Sequence, residues 1–216
     1  PSCERVAALL QRVYGIPPRP VRQGVVNSLV RTILSQNTTA ANADRAYRHL
    51  KDSFPHWQQV ARAPERAVVE AIRPAGLASQ RAKVIQCVLT RLEAEDASLQ
   101  CEYLQCKPTA AVLEYLEAFP GVGPKTAACV VLFELGRAVF PVDTHLLRIS
   151  KRLGWVAPEV SAPQAQRFLE PLVPEGLRYE LHVNLIAHGR TTCRAQRPKC
   201  TECVLARLCR RQGCTA

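Results

Sequence analysis

The sequence predicts an all-α protein, and three observations support this fold class. Apolar residues recur at three- and four-residue spacing, the period of one helix face, in segments such as 29–34 and 84–92. Strict alternation of apolar and polar residues over a strand length is scarce. Prolines punctuate the helical segments, with Pro64 and Pro108 near predicted helix starts and Pro74 at a predicted end.

The composition is that of a globular chain without a predicted membrane span. Apolar residues make up 47% of the 216 positions, which argues against a disordered chain. The longest wholly apolar run, Ala127–Phe133, is far shorter than the roughly 20 residues that cross a bilayer. The first apolar stretch, Val6–Leu10, is too short for the core of a signal peptide. We therefore expect an intracellular protein, in the cytoplasm or nucleoid if its source is bacterial or archaeal.

Positive charge is concentrated toward the end of the sequence. The formal net charge is +11. Residues 187–216 contain seven arginine and lysine residues but one acid, Glu202, so this segment holds more than half of the net charge. Such clustering suits a polyanion such as nucleic acid. A solvated basic tail would have the same composition, so charge alone leaves both interpretations open.

A helix–hairpin–helix is predicted around residue 122. One apolar stripe predicts a helix over Ala111–Phe119, and a second helix begins at Pro124, where the missing N–H of proline costs nothing. Between them, Pro-Gly-Val-Gly (120–123) predicts a tight turn, since glycine permits backbone angles that other residues resist. The turn can present bare backbone N–H groups to a phosphate, helped by the helix N-terminus behind it. The candidate phosphate-binding residues are Gly121, Val122 and Gly123.

Lys125 follows this turn, in the first turn of the second helix. The positive end of a helix disfavours an ammonium, and a neutral lysine amine is a nucleophile able to form a Schiff base. An ordinary surface lysine that touches phosphate is the alternative. The sequence Gly-Pro-Lys-Thr (123–126) also resembles the end of a P-loop, but Pro124 interrupts that motif and a helix, not a strand, precedes it.

Asp143 and His145 lie where the next helix begins, and that helix is predicted to end at Gly154. Aspartate is a preferred N-cap, so a capping role is the default for Asp143. A carboxylate there could also stabilise positive charge that develops at a sugar carbon, as carboxylates do in glycoside cleavage. The two roles are compatible. We expect His145 to be a hydrogen-bonding structural residue rather than a base.

Four of the ten cysteines form the most specific pattern in the sequence. They follow the spacing Cys-x6-Cys-x2-Cys-x5-Cys, at Cys193, Cys200, Cys203 and Cys209. Four thiolates suit a [4Fe–4S] cluster or a structural zinc site. Zinc ribbons usually pair two Cys-x2-Cys knuckles and only one occurs here, which modestly favours iron–sulfur. The scattered cysteines are expected to be small core residues or surface thiols: Cys3, Cys87, Cys101, Cys106, Cys129 and Cys214.

The loop between the first two of these four cysteines is basic. It contains three cations and no acid, namely Arg194, Arg197 and Lys199. A cluster could hold this loop rigid against a DNA backbone, whose phosphates attract arginine and lysine.

Five motifs together resemble endonuclease III, in the helix–hairpin–helix glycosylase superfamily. They are Leu-Ser-Gln-Asn-Thr-Thr (34–39), Ala-Gly-Leu-Ala-Ser-Gln-Arg-Ala-Lys (75–83), Phe-Pro-Gly-Val-Gly-Pro-Lys-Thr-Ala (119–127), Val-Asp-Thr-His (142–145), and His-Gly-Arg-Thr-Thr-Cys with the other three cysteines (188–209). The resemblance covers most of the chain. It implies that Lys125 is the nucleophile, that Asp143 is the catalytic carboxylate, and that the four cysteines hold a [4Fe–4S] cluster. Adenine glycosylases are similar but lack this lysine.

The resemblance also implies a fold and an activity. The fold would have two lobes: a helical barrel over residues 22–133 that ends in the hairpin, and a cluster domain made of 1–21 and 134–216. The expected enzyme is a monomeric, bifunctional DNA glycosylase and AP lyase. It would bind double-stranded DNA between Lys125 and Asp143, excise oxidised pyrimidines such as thymine glycol, and nick the strand at the abasic site by β-elimination.

The family also inserts side chains into DNA. Leu77 matches its wedge leucine, although a core residue at a helix start is the alternative. Asn37, with Gln36 beside it, falls where the family has a glutamine that fills the vacated base position. Here the sequence departs from the family, because the register reads Ser-Gln-Asn and Ala40 replaces a common aspartate. Either Gln36 or Asn37 could therefore fill the gap. The resemblance places His145 and the basic loop among the DNA contacts as well.

Two other functions remain open at this point. One is a monofunctional glycosylase for mismatched or alkylated bases, which would form no Schiff base. The other is a non-catalytic iron–sulfur protein that binds DNA or senses redox state, against which the presence of both Lys125 and Asp143 argues.

Overall fold

The computed structural model describes residues 1–211, and all of their regular secondary structure is helical. The predicted all-α class is thereby confirmed. Besides three short 3₁₀-helices, at Arg73–Ala75, Glu102–Gln105 and Cys200–Glu202, this part of the chain forms eleven α-helices. These are α1 (Cys3–Tyr14), α2 (Val25–Ser35), α3 (Ala40–Ser53), α4 (Trp57–Arg62), α5 (Glu65–Ile72), α6 (Ala78–Glu95), α7 (Thr109–Glu117), α8 (Pro124–Phe133), α9 (Thr144–Leu153), α10 (Ala162–Leu169) and α11 (Glu175–Thr191). No helix in the described part is both long and apolar enough to cross a bilayer.

The chain divides into two compact units. The first, which we call the hairpin unit, is continuous and covers Val21–Gly136. The second, the terminal unit, joins Pro1–Pro20 to the chain from Arg137 onward. Their assignment as a helical barrel over 22–133 and an iron–sulfur domain stays a prediction.

The hairpin unit buries the apolar stripes that the sequence shows. Leu29, Ile33 and Leu34 of α2 are at most 1% exposed, since residues three and four apart share one helix face. Helix α8 is buried from Thr126 to Leu132 and packs against both α2 and α7. The first turn of α8 and the loop before it are therefore anchored by a core.

The terminal unit is built from both ends of the described chain. Helix α1 packs along α11, and α11 packs against α9. Val6 and Leu10 of α1 share one apolar core with Leu146 of α9 and Leu185 of α11. Helix α9 begins at the predicted cap, Asp143, and ends at Gly154, whose φ of 73° is left-handed. The four-cysteine segment follows α11.

Candidate functional site

The turn between α7 and α8 requires glycine at one of its two glycine positions. Gly121 has φ +74°, and a Cβ there would lie 2.9 Å from Cγ2 of Val84. Gly123 has φ −93° and ψ 177°, which is ordinary extended backbone, and a Cβ there would meet nothing within 4 Å. The prediction that both glycines adopt angles that other residues resist is therefore right for Gly121 and wrong for Gly123. The space outside Gly123 is open for a ligand to approach the backbone.

Two N–H groups of this turn are free to bind a ligand. Gly121 and Gly123 are exposed, and neither N–H has an acceptor within residues 1–211. Val122 differs, because its side chain is 4% exposed and its N–H donates to the Phe119 carbonyl at 3.1 Å. Its N–H is thus already used within the turn, which corrects the expectation that Val122 offers a bare donor. Val122 anchors the turn in the core.

Lys125 lies in the first turn of α8, as the sequence predicted. The carbonyl of Gly123 accepts from the N–H groups of Thr126 at 2.9 Å and Ala127 at 3.0 Å, which fixes the helix start. The Lys125 side chain is half-buried. No carboxylate of the described chain forms an ion pair with its amine. Lys125 thus follows a turn with two free main-chain donors and lies in the first turn of α8, the positive end of that helix.

Gln36 and Asn37, which the sequence left as alternatives, have different surroundings. The Gln36 side chain donates from Nε2 to the Gly121 carbonyl at 3.3 Å and to Oγ1 of Thr126 at 3.2 Å. Asn37 is exposed in a left-handed conformation with φ 47°, and its side chain has no hydrogen bond within the described residues. The amide nitrogen of Gln36 is thus hydrogen-bonded to the hairpin, whereas the Asn37 amide has no partner within the described residues.

Leu77 is exposed at a strained position. It precedes α6, has φ 49°, and is 60% exposed. The alternative that Leu77 is a core residue at a helix start is therefore wrong. A large apolar side chain held out in water on a left-handed backbone indicates a contact surface.

Asp143 caps α9, as predicted. Its Oδ1 accepts from the N–H of Leu146 at 2.8 Å. His145 lies 3.1 Å from Nη2 of Arg148, which also donates to the Gly189 carbonyl at 2.9 Å. Gly189 has no side chain, and a Cβ there would lie 2.8 Å from Cβ of His145. His145 is therefore packed between α9 and α11, which fits a structural histidine.

The four cysteines of the motif line one pocket of the terminal unit. The other side chains around it include three cations and no acid, the cations being Arg152, Lys199 and Arg211. Arg152 donates from Nη1 to Sγ of Cys193 at 3.2 Å. Cationic surroundings and N–H donors suit thiolates. Burial raises the pKa of Cys203, which disfavours the thiolate form unless positive charge lies close by.

A second donor faces the pocket from α11. His188 is buried, which lowers its pKa to about 4, and its Nε2 lies 3.5 Å from Sγ of Cys203. The Tyr14 hydroxyl lies 3.0 Å from the other ring nitrogen, Nδ1. Because a neutral imidazole has one N–H, a hydroxyl that donates to Nδ1 leaves the proton on Nε2, where it faces the sulfur. Sequence reasoning missed Tyr14, His188 and Arg152 as supports of this pocket, and only the position of His188 in the cysteine motif gave a signal.

The donor set fits a cluster that takes one thiolate per iron. Within residues 1–211, no three or more histidine, cysteine or acidic side chains are arranged to hold a metal ion. A four-iron cluster needs four thiolates around one shared volume, and the four cysteines of the motif do line one pocket. The Cys209 thiol donates to the Arg152 carbonyl at 3.2 Å, a bond that ligation would replace. Of the scattered cysteines, Cys3, Cys101 and Cys129 are buried and Cys87 and Cys106 are exposed, as predicted, whereas Cys214 lies outside the described residues.

The basic loop contains one cation that is free and two that have partners. Lys199 pairs with Glu202 at 3.4 Å, and Nε of Arg194 donates to the Thr191 carbonyl at 3.2 Å. Arg197 is exposed with φ 48°, and no partner for its side chain occurs in the described part of the chain. Arg197 is therefore the cation of this loop that is most available to an external anion.

Comparison with known proteins identifies the family. Residues 30–175 match the family described as HhH-GPD superfamily base excision DNA repair protein. An endonuclease III of Thermotoga maritima is 33% identical over 188 residues, which cover 86% of this chain and 84% of that protein. A candidate DNA glycosylase of Arabidopsis thaliana is 40% identical over 168 residues, but this chain spans only 57% of its length.

Solved structures give the same relationship. A trapped covalent intermediate of endonuclease III with DNA, described as an estranged-adenine complex, matches with a TM-score of 0.84 and 25% identity. The match covers 98% of this chain and 97% of that chain. The helix–hairpin–helix glycosylase fold expected from the resemblance is therefore the fold that this chain shares with that structure. The chain belongs to the HhH-GPD superfamily of base excision DNA repair proteins and, within it, to the endonuclease III family.

Proposed function

We propose that this protein is a bifunctional DNA glycosylase and AP lyase that removes oxidised pyrimidines such as thymine glycol. The observation that carries the proposal is the position of Lys125, half-buried in the first turn of α8 beside the free N–H groups of Gly121 and Gly123. A nucleophilic amine and an anion-binding turn thus occupy adjacent positions, as a reaction on a DNA sugar requires. Membership of the endonuclease III family supports the same activity.

The proposed reaction begins when the damaged nucleotide leaves the base stack, because C1′ is inaccessible inside a duplex. The Lys125 nitrogen attacks C1′ with its lone pair while the bond from C1′ to the base breaks, and the base leaves with the electron pair of that bond and takes up the proton that the nitrogen loses. Asp143 stabilises the positive charge that develops on the sugar. The nitrogen lone pair then expels O4′ from C1′, and O4′ takes up a proton from water, so that the sugar ring opens to a Schiff base on Lys125. Loss of the C2′ proton then expels the 3′ phosphate, which nicks the strand.

The chain has residues suited to the DNA contacts that this reaction needs. The N–H groups of Gly121 and Gly123 bind a phosphate. Leu77 enters the duplex as a wedge, and Asn37, whose amide is free, fills the position that the damaged base vacates. Arg197 adds a phosphate contact from the basic loop. Binding as a monomer and an intracellular location remain predictions.

The four cysteines would hold a [4Fe–4S] cluster, whose contribution here is to fix the fold around the basic loop. Arg152 donates to the sulfur of Cys193, and Nε2 of His188 lies 3.5 Å from that of Cys203, so these two side chains would orient two of the ligands. No step of the proposed reaction passes through the cluster.

Incubation of the wild-type protein with a thymine glycol duplex tests this function. Base release, a nick, and a covalent complex on addition of borohydride would together support it, because borohydride captures only a Schiff base. Base release without capture would indicate a monofunctional glycosylase. Binding without base release, on a panel of oxidised, mismatched and alkylated lesions, would indicate a non-catalytic protein. A uracil duplex and an undamaged duplex provide the substrate controls.

Two substitutions of Asp143 should separate its two roles. Asp143→Asn keeps an N-cap, since asparagine caps a helix about as well as aspartate, but removes the charge. We expect the unfolding temperature to change little and base excision to slow by about 10²- to 10³-fold, the usual cost of one lost electrostatic contact to a transition state. Asp143→Ala should show the same slowing and also lose about 1 kcal/mol of stability. Single-turnover excision and thermal unfolding of both variants provide the measurement, and full activity in Asp143→Asn would refute the catalytic role.

Arg197 should contribute one phosphate contact. Arg197→Ala is expected to weaken binding to all DNA sequences about equally. It should also reduce the salt slope, which is the slope of the logarithm of the binding constant against the logarithm of the salt concentration, by about one unit, because one fewer counterion is released. Lys199→Ala should have a smaller effect, since Lys199 already pairs with Glu202. Titration of a fluorescent abasic-analogue duplex at several salt concentrations measures the slope. The matched control is Arg167→Ala, an exposed arginine on α10, and iron content is checked in each sample. An unchanged slope for Arg197→Ala would show that Arg197 makes no phosphate contact, and an unchanged slope for Arg194→Ala and Lys199→Ala as well would leave the loop without a role in binding.

A further inference from the structure

A buried arginine lies beneath the two loops that contain Asn37 and Leu77. Arg81, in the first turns of α6, is 5% exposed. No carboxylate within residues 1–211 pairs with its guanidinium. Burial of a charge without an ion partner is costly unless hydrogen bonds compensate for the lost water. The acceptors of those hydrogen bonds therefore define what Arg81 holds in place.

The acceptors are three main-chain carbonyls from two separate segments. Nη1 donates to the carbonyls of Leu34 at 2.7 Å and Ala75 at 2.8 Å, and Nη2 donates to that of Gln36. Leu34 and Gln36 lie at the end of α2, which has no basic residue in its own last turn. Arg81 supplies the cation that the negative end of a helix favours. Since Ala75 ends a 3₁₀-helix, one guanidinium joins the C-terminal ends of two helices.

Each segment continues directly into an exposed residue with a left-handed backbone. Asn37, with φ 47°, follows Gln36, and Leu77, with φ 49°, comes two positions after Ala75. A left-handed conformation is unfavourable for a residue other than glycine, and it persists where the surrounding structure fixes it. Arg81 donates hydrogen bonds to the main chain just before Asn37 and just before Leu77.

The same loop is also tied to the hairpin. The main chain of Gln36 binds Arg81, while its side chain binds the Gly121 carbonyl and the Thr126 hydroxyl. The loop that contains Asn37, the loop that contains Leu77 and the start of α8 are thus connected by one polar network. That network involves three side chains, those of Arg81, Gln36 and Thr126.

We propose that Arg81 is a positioning residue that sets Asn37 and Leu77 at a fixed separation, so that both side chains enter a DNA duplex as one preorganised unit. The proposal rests on the proposed function, in which these two side chains enter DNA. Preorganisation strengthens binding because the loops lose little further entropy when they engage the ligand. Arginine suits this role, since its planar guanidinium reaches several acceptors at once, whereas a lysine ammonium is a compact point charge.

Hydrogen exchange of the free protein tests, without DNA, whether Arg81 holds the two loops in place. Arg81→Lys keeps the charge and cannot reach all three carbonyls, and Arg81→Met keeps the length and removes the donors. We expect amides of residues 36–38 and 76–78 to exchange about tenfold faster in Arg81→Met, with a smaller increase in Arg81→Lys. The matched control is Arg91→Lys, on the same helix, where the arginine donates to a single carbonyl, that of Ala118, at 3.0 Å.

A double-mutant cycle then tests the coupling in DNA binding. Asn37→Ala, Leu77→Ala and the double variant are compared for affinity to an abasic-analogue duplex relative to an undamaged one. If the pair enters as one unit, the double variant should lose about fivefold less affinity than the product of the single losses, within the range seen for coupled residues. In the Arg81→Lys background, the affinity loss of the double variant should equal the product of the two single losses to within about twofold, as it does for independent sites. A merely structural role would lower the unfolding temperature without changing this coupling.

The outcomes separate this proposal from the function on which it rests. Faster exchange at both loops together with loss of coupling in Arg81→Lys would support it. Unchanged exchange, or coupling as strong in the Arg81→Lys background as in the wild type, would overturn it while the wild-type preference for the abasic analogue still stood. Equal wild-type affinity for the two duplexes would contradict DNA-damage recognition itself, and the proposal would fall with it.

Discussion

Lys125→Gln should eliminate the borohydride-trapped complex and slow both base release and nicking by at least about a thousandfold, as expected for loss of a nucleophile. An amide cannot form a Schiff base, and it fills nearly the same volume in the first turn of α8. Affinity for an abasic-analogue duplex should change by less than about tenfold, the cost of one lost charge contact. Gel separation of trapped complexes, single-turnover kinetics and fluorescence anisotropy provide the three measurements.

Lys107→Gln is the matched control for this experiment. Lys107 is an exposed lysine of the same hairpin unit and lies 5.8 Å from the Tyr103 ring centroid. Its substitution should leave trapping, excision and nicking at wild-type levels. A trapped complex in Lys125→Gln would assign the nucleophile to another amine, and mass spectrometry of the trapped peptide would then identify it.

Cys203→Ala should remove the metal centre and destabilise the terminal unit. The wild-type protein is expected to be brown and to contain about four iron and four sulfide ions per chain, as one four-iron cluster requires. Because ligands and metal fold together, the variant should contain less than about one iron per chain and unfold at a lower temperature. Iron and sulfide analysis, absorbance and thermal unfolding measure these effects.

Cys106→Ala is the control for the cysteine experiment. Cys106 is exposed, precedes α7 and lies outside the cysteine motif. This variant should retain the iron, the sulfide and the colour of the wild type. A colourless, folded wild-type protein with one zinc ion per chain would contradict the cluster and leave the alternative of an all-cysteine zinc site.

Local chemistry made the helices and their ends predictable from the sequence. The stripe at Leu29, Ile33 and Leu34 predicts a buried helix face, and Asp143 and Gly154 mark the two ends of α9 by their capping preferences. The sequence predicts the first hairpin helix over Ala111–Phe119, and the helix spans Thr109–Glu117. Pro108 sets that start two residues earlier, because the apolar stripe marks only the buried face and not the exposed first turn.

Contacts between distant residues could not be predicted in this way. The sequence left Gln36 and Asn37 equivalent, and only the Gly121 carbonyl and the Thr126 hydroxyl show that Gln36 is already engaged. Arg81 was part of a matched motif, yet nothing in its neighbours reveals that it binds carbonyls at Leu34 and Gln36, more than forty residues away. Such partners depend on packing in three dimensions, which a one-dimensional pattern does not encode.

The discontinuous course of the terminal unit has a consequence for how the chain is synthesised. Tyr14 of α1 meets His188 of α11 across a sequence separation of 174 residues. The hairpin unit is continuous and can fold as soon as it leaves the ribosome, since domains fold as units during synthesis. The apolar face of α1 emerges earlier, but its partners in the core, α9 and α11, are made only later. Newly made chains should therefore expose Val6 and Leu10 for most of translation, and chaperones that shield such surfaces would bind α1 during that interval.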